Sequence, residues 1–405
     1  MPTRLRDVNV YGDKYGICAA YFISHFWYRE RKSQIRTLLH STFPFLRASM
    51  ACAISGVLHR IGLASNGPFT GYDAIIDLNS DSLNEYYGGL YPLFALANVA
   101  MAKMSGKPVI VSPCSIGEFK NLLLRCLART VLDHVEVVMV RDETSRNNLA
   151  VLGVTKPRIV LSADLAFLMK PKVSPHLEEE LGVNQISRKN RNPLVGITPS
   201  GIMHHYAFPE EDHDLTQKYE EYISCMAEIT DFIVQELKAN VILIPHSLSE
   251  RGELASFSDE DDRIHCERIH ALVKNKQTVT YIKGNYSAQE IKWLIGACEM
   301  FIGCRMHSTI ASTSICVPTI AVAYGQKFEG IIGNMVGQSD QIVRIDIDRQ
   351  SFLSQMRSKI VMTWANKDML RNDLEGKMLP IKNSANSIVV LLKELLRFSN
   401  RSKST

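Results

Sequence analysis

Phe301-Ile302-Gly303-Cys304-Arg305-Met306-His307-Ser308 reads as a strand, a tight turn and the start of a helix. The apolar run closes on Gly303, presents Arg305 and His307 two residues apart, and passes into a helix-like segment. A cation and a titratable imidazole thus stand at the carboxyl edge of a sheet, where open α/β folds bind their ligands. The pattern points to an enzyme acting on an anionic small molecule.

The same rhythm extends outward in both directions. Strands are expected at Leu194–Thr198, Asn240–Ile244, Thr278–Ile282, Met300–Ile302, Thr319–Ala323 and Ile342–Ile345. Helices are expected between them at Tyr219–Leu237, Ala288–Cys298 and His307–Cys316. Another begins at Asp259-Glu260-Asp261-Asp262, whose acids suit the positive end of a helix. An earlier unit repeats the pattern, with strands at Ala74–Leu78, Pro108–Val111, Val135–Val140 and Arg158–Leu161 and helices at Leu90–Lys103, Phe119–Leu132 and Glu143–Leu152. Alternation of this kind indicates an α/β fold with parallel sheets and right-handed crossovers. Helices are also expected within residues 1–70, at Gln350–Trp364 and, beyond Pro380, at Ser387–Phe398. The segment 170–194 carries Pro171, Pro175 and Pro193 and ends in Arg188-Lys189-Asn190-Arg191-Asn192-Pro193, the expected linker. The expected division is therefore 1–185, 194–380, and a C-terminal helix with a basic tail over 381–405.

Composition narrows the class. The 405 residues suit two domains, and 46% hydrophobic with 22% charged content is globular. A net charge of +4 argues against nucleic acid as a partner, which would require a basic stripe. Arg29, Arg31, Lys32 and Arg36 cluster early, as a solvated helix face or as a patch for a membrane surface or an anionic substrate. Nine cysteines, an odd number with no C-x-x-C, fit reduced cytosolic thiols rather than disulfides or a metal site. No apolar run reaches the length of a spanning helix. The expectation is a cytoplasmic protein; association with a membrane surface and self-association are both compatible with the composition.

Several strand exits carry chemistry. Arg305 offers planar donors for carboxylate or phosphate, His307 can pass a proton near neutral pH, and Lys327, after the next strand, supplies a point charge. The helix beginning near Ser308 adds backbone donors. The alternative is that His307 caps the helix and Arg305 forms an outside salt bridge. His246, in Pro245-His246-Ser247, ends another strand and either reaches the same crevice or is a loop histidine. His204-His205 either contact ligand or line a cleft, with no acid or cysteine at metal-ligand spacing. In the first unit Asp81 lies past a strand edge, where its carboxylate either accepts a hydroxyl proton or caps the next helix. Ser115-Ile116-Gly117, Arg141-Asp142 with Ser145, and Asp164-Leu165-Ala166-Phe167 are further exits. No G-x-G-x-x-G, P-loop or G-x-S-x-G motif is present, which weighs against a nucleotide-dependent dehydrogenase, a P-loop enzyme and an α/β-hydrolase.

Taken in order, these exits resemble the polysaccharide pyruvyl transferase family over Tyr72 to Gly330. The pieces are Tyr72-Asp73-Ala74-Ile75-Ile76-Asp77 with Asp81, Gly106-Lys107-Pro108, Ser115-Ile116-Gly117, Val140-Arg141-Asp142 with Ser145 and Leu149, Asp164-Leu165-Ala166-Phe167, and Ile244-Pro245-His246. Gly303-Cys304-Arg305-Met306-His307-Ser308 and Tyr324-Gly325-Gln326-Lys327 complete the set. The resemblance implies two Rossmann-like domains facing across a cleft, similar to the GT-B arrangement. It implies transfer of a pyruvyl group from phosphoenolpyruvate to a sugar hydroxyl of a glycan or glycolipid precursor, usually as a ketal, with no cofactor and no metal. His307 matches the family's proposed acid, Arg305 and Lys327 its donor-binding cations, and Arg141 a further donor-side position. The chain departs from the family pattern early: Gly12-Asp13 has no strand before it, and Asn79-Ser80-Asp81 stands where a Gly-rich turn is usual. Two other readings suit the same architecture: a nucleotide-sugar glycosyltransferase or epimerase, and a non-catalytic glycan-binding protein.

Overall fold

The computed structural model describes residues 69, 72–78, 81–85, 90–181, 192–209, 214–248, 261–325 and 327–402. The expected helices of residues 1–68, the basic cluster Arg29, Arg31, Lys32 and Arg36, Gly12-Asp13, Asn79-Ser80, Gly88-Gly89, most of the run Arg188–Pro193 and Gln326 lie outside them. The chain forms two compact units, Met1–Ser162 with Ser387–Thr405, and Ala163–Asn386.

The first unit holds a four-stranded parallel sheet of β1 (Ile75–Asp77), β2 (Val109–Cys114), β3 (Val137–Val140) and β4 (Arg158–Leu161), in that spatial order. The crossovers run through α1 (Leu90–Met104), α2 (Leu122–Leu132) and α3 (Glu143–Leu152). β2 and β3 are buried along their whole length, which is why Val109–Val111 and Val137–Val140 read as continuous apolar runs rather than alternating ones. Asn121 caps α2 by accepting the Leu123 and Leu124 amides, so this helix starts three residues later than Phe119. β2 runs past Val111 to Cys114, with a register shift against β3 at Pro113, where a proline is tolerated and the strand re-aims its exit.

The second unit holds six parallel strands in the order β10-β9-β8-β5-β6-β7. They are β5 (Leu194–Thr198), β6 (Asn240–Leu243), β7 (Val279–Tyr281), β8 (Met300–Gly303), β9 (Thr319–Ala323) and β10 (Ile342–Arg344). This is the doubly wound order, in which the chain moves out from β5 to one side and then returns to the other. The helices are α4 (Pro175–Leu181), α5 (Leu215–Leu237), α6 (Asp262–Leu272), α7 (Ala288–Ile295), α8 (Met306–Thr313), α9 (Arg349–Ala365) and α10 (Lys367–Ala385). α5 begins with a capping box, Asp214 accepting the Gln217 amide while the Gln217 side chain accepts from the Asp214 amide. Val195 and Ile197 face one core with α5, whereas Leu194 and Phe301 face another with α7 and α8. Each such fully buried side chain contributes about 1.5–3 kcal/mol relative to exposure. Gly303 lets α8 lie close on the sheet: a Cβ there would stand 2.5 Å from Thr309 Cγ2 and 2.9 Å from Ser308 Oγ.

Two boundaries differ from those expected. The second unit takes up the chain at Ala163, ahead of the proline-rich segment, because Phe167 and Leu177 are buried in its cores. The expected division at 380 falls inside a helix of the tail. α10 runs through Pro380 because Leu374, Met378, Ile381 and Ala385 are all buried on one stripe. The last helix, α11 (Ser387–Ser402), belongs to the first unit, where Glu394 pairs with Arg158 at 2.8 Å.

Candidate functional site

In the second unit β5 lies between β6 and β8, with Thr198 paired in register to Gly303. That is the topological switch point, where the connections diverge and leave a crevice at the carboxyl ends of the strands. Pro199-Ser200, Pro245-His246-Ser247, Arg305-Met306-His307 and Tyr324 follow the four central strands there.

Arg305 does not stand alone. Its Nε and Nη2 donate to the two carboxylate oxygens of Asp262 at 2.8 and 2.7 Å, a bidentate pair. Asp262 is completely buried, and its Oδ2 also accepts the backbone amides of His246 at 3.1 Å and Ser247 at 2.7 Å. One carboxylate therefore fixes the exits of β6 and β8 together. Burial opposes the charge on Arg305, but Asp262 outweighs it and keeps the guanidinium above its ordinary pKa. Desolvation pushes the His246 imidazole well below its ordinary value, and nearby His307 and Arg305 add to that. His246 is therefore neutral at physiological pH rather than a cation.

His307 is half-exposed, and its Nε2 lies 3.7 Å from Asp164 Oδ2. The other Asp164 oxygen accepts the Ala166 amide at 2.9 Å, capping the short 3-10 turn Leu165–Leu168. This turn rests on Lys292 of α7, a buried lysine whose Nζ lies 3.5 Å from the Ala166 carbonyl oxygen. Burial, with Lys382 adding, pushes the Lys292 ammonium down to about 8. Ser308 is fully buried and donates to the Arg305 carbonyl at 2.7 Å, so its side chain closes the first turn of α8. Lys327 places its ammonium 5.0 Å from the centre of the Tyr324 ring, which stacks on Tyr206 at 4.8 Å. The exits of β5 and β9 thus share an aromatic wall with a cation on it. His204 is buried and its Nδ1 lies 2.5 Å from the Gly201 carbonyl oxygen, whereas His205 is exposed. Among the described residues no cluster of three or more His, Cys, Asp or Glu could hold a metal ion.

Asp81 and Arg141 belong to the first unit, and the structure joins them. Arg141 is completely buried; its Nη2 donates to Asp81 Oδ1 at 3.2 Å and its Nε to Ser115 Oγ at 2.8 Å. Ser115 Oγ in turn donates to Asp142 Oδ2 at 3.2 Å, and Asp142 Oδ1 caps α3 through the Ser145 amide at 2.7 Å. Arg141, which the family resemblance places on the donor side, is enclosed and binds together the exits of β2 and β3. Asp81→Ala should destabilise the protein by about 2 kcal/mol, because a buried guanidinium loses a charged partner. Denaturant unfolding checks this; an unchanged midpoint would show that water replaces the carboxylate.

Two functional partners escaped the sequence reading. Asp262 stood in an acidic run explained by the helix dipole, and Asp164 in a strand exit with no assigned partner. The signal available for each was an acid directly after a strand or at a helix start, which does not say which distant cation it meets.

Comparison with solved structures defines the class first. UDP-GlcNAc 2-epimerase from Neisseria meningitidis, solved with UDP-GlcNAc, superposes with a TM-score of 0.53 at 11% identity, over 97% of this chain and 90% of that one. A glycosyltransferase from Rickettsia africae gives 0.52 at 10% identity, over 96% and 87%. The fold is GT-B-like, two α/β domains with parallel sheets. The chain belongs to the polysaccharide pyruvyl transferase family, whose model matches residues 3–326. The amylovoran biosynthesis protein AmsJ of Erwinia amylovora is 23% identical over 264 residues, 64% of this chain and 59% of that protein. The chain thus spans about three fifths of the length of that relative. No helix among the described residues is long and apolar enough to cross a membrane.

Proposed function

We propose that the protein transfers a pyruvyl group from phosphoenolpyruvate to a sugar hydroxyl of a glycan or glycolipid precursor, forming a pyruvate ketal. The observation that carries this reading is the His307–Asp164 pair at the exit of β8, a proton donor held by a carboxylate at the switch point. Family membership and the likeness to a polysaccharide biosynthesis protein support the substrate class.

The chemistry asks for a proton delivered to carbon. His307 in its imidazolium form gives the proton of Nδ1, the ring nitrogen not paired with Asp164, to the methylene carbon of phosphoenolpyruvate, which becomes the methyl group. The adjacent carbon gains oxocarbenium character and a sugar hydroxyl oxygen bonds to it, losing its proton. The carbon–oxygen bond to phosphate then breaks and inorganic phosphate leaves. A second hydroxyl of the same sugar closes the ketal and loses its proton in turn. Asp164 stabilises the imidazolium before the transfer and orients the ring. Lys327 and Arg305 lie on the donor side, Arg305 with its charge shared with Asp262, and neutral His246 and Ser308 shape the same wall. Asp81, oriented by Arg141, is the carboxylate assigned to a sugar hydroxyl proton.

Incubation with phosphoenolpyruvate and a panel of saccharides tests the reading. Acceptor-dependent phosphate release with an acid-labile pyruvyl product is expected. Turnover of a UDP-sugar, with no phosphoenolpyruvate bound, would replace this reading with a glycosyltransferase or epimerase.

A further inference from the structure

The sequence reading asked Arg305 to meet an anion, yet Asp262 takes two of its donors in a bidentate pair. A dianionic phosphate therefore requires other donors at the same crevice. Two unmet ones are present. Thr198 Oγ1 and Ser200 Oγ are buried, and neither has a hydrogen-bond partner among the described residues. Leaving a buried hydroxyl unmet is costly, so two of them together ask for an explanation.

Their direction follows from the backbone. Thr198 ends β5 and Ser200 continues it in an extended conformation, φ −145° and ψ 127°, so the two side chains share one face. Leu194 and Gly196 lie on that face, against Phe301 and Cys298. It is the face covered by α8. Thr198 is paired in register with Gly303, and a side chain on Gly303 would run into Ser308 and Thr309 of the first turn of α8. Side chains paired in a parallel ladder point to the same side, so the Thr198 hydroxyl lies beside that turn. The Arg305 side chain makes no cap bond, and the amides of Ser308 and Thr309 already reach the Arg305 carbonyl oxygen. The amides of Met306 and His307 have no intrahelical acceptor and carry the positive end of the helix.

We propose that the hydroxyls of Thr198 and Ser200 and the first-turn amides of α8 together seat the phosphate group of the donor. The proposal rests on the pyruvyl-transfer reading and deepens it. It gives the phosphate a place directly below His307, whose own amide is one of the donors, and leaves Arg305 to hold the β6 and β8 exits through Asp262. The Asp262 carboxylate does not repel the anion, because Arg305 and two amides already match it. Both hydroxyls are fully buried, so admission of phosphate is coupled to a local opening of the strand end. The Ser200 amide donates to Tyr222 Oη at 3.0 Å, which ties the strand end to α5.

Calorimetric titration of the whole protein with inorganic phosphate, phosphoenolpyruvate and pyruvate tests this, in the wild type and in Thr198→Val and Ser200→Ala. Each variant should weaken phosphate and phosphoenolpyruvate about tenfold, raise the phosphoenolpyruvate KM similarly, change kcat little, and leave any pyruvate binding unaltered. The ligand-free melting temperature should hold or rise, since an unmet buried hydroxyl has been removed. A fall in that temperature with unchanged phosphate affinity would mean that the hydroxyls serve the fold, and would overturn the proposal. If wild type and variants bind and turn over phosphoenolpyruvate alike, the phosphate seat alone falls. If the wild type binds neither phosphate nor phosphoenolpyruvate, the pyruvyl-transfer reading falls with it.

Discussion

His307→Ala should lower turnover by about 10²–10⁴-fold while leaving the folded protein nearly as stable as before, the range expected for loss of a positioned general acid. The side chain is 39% exposed, and its carboxylate partner stands at 3.7 Å, so little packing is lost. The loss belongs to the protonation step. Phosphoenolpyruvate carries its charges on phosphate and carboxylate, not on the methylene carbon that receives the proton. Donor affinity should therefore change far less than kcat. Asp164→Asn should give an intermediate loss, because the ring keeps its place but the imidazolium loses its counter-charge. Phosphate release at saturating donor, with the KM for phosphoenolpyruvate measured alongside, separates the cases. Equal losses in kcat and affinity would make His307 a binding residue and sink its assignment as the acid.

Asp262→Ala should destabilise the protein by about 3–5 kcal/mol, the largest stability effect expected in the second unit. The substitution strands the Arg305 guanidinium, whose side chain is only 20% exposed, and removes the acceptor of the His246 and Ser247 amides. For a unit of this size that corresponds to a fall in Tm of roughly 6–20 °C. The double change Asp262→Leu with Arg305→Met should cost less than Asp262→Ala alone, since both charges leave the interior together. A melting series on the three proteins decides the point. A loss under about 1 kcal/mol in Asp262→Ala would show that water solvates the pair as at an ordinary surface.

These two expectations separate what the strand exits announced from what completed them. Gly303-Cys304-Arg305-Met306-His307 could be placed on a turn after a strand because Met300 to Ile302 is an apolar run buried on both faces. The strands at Leu194–Thr198 and Thr319–Ala323 were legible to the residue for the same local reason, and the edge strand Arg158–Leu161, exposed at both ends, through its short apolar run Ile159-Val160-Leu161. The division at 380 cut through α10, because a proline is a local signal whereas the buried stripe that holds this helix is not. The unit boundary misled as well, because proline and charge mark a flexible-looking stretch whereas Phe167 and Leu177 are committed by burial alone.

By itself the sequence determined the α/β class, the parallel strands, the identity of the residues at each strand exit and the family to which they belong. All of these follow from local patterns: apolar periodicity, short turns and ordered motifs. Tertiary structure alone decided the partners. It gave Asp262 to Arg305, Asp164 to His307 and Asp81 to Arg141, and left Thr198 and Ser200 unmet at the switch point. Partners of that kind are set by strand order and register, which bring residues far apart in the chain within hydrogen-bonding distance, and no single segment carries that information.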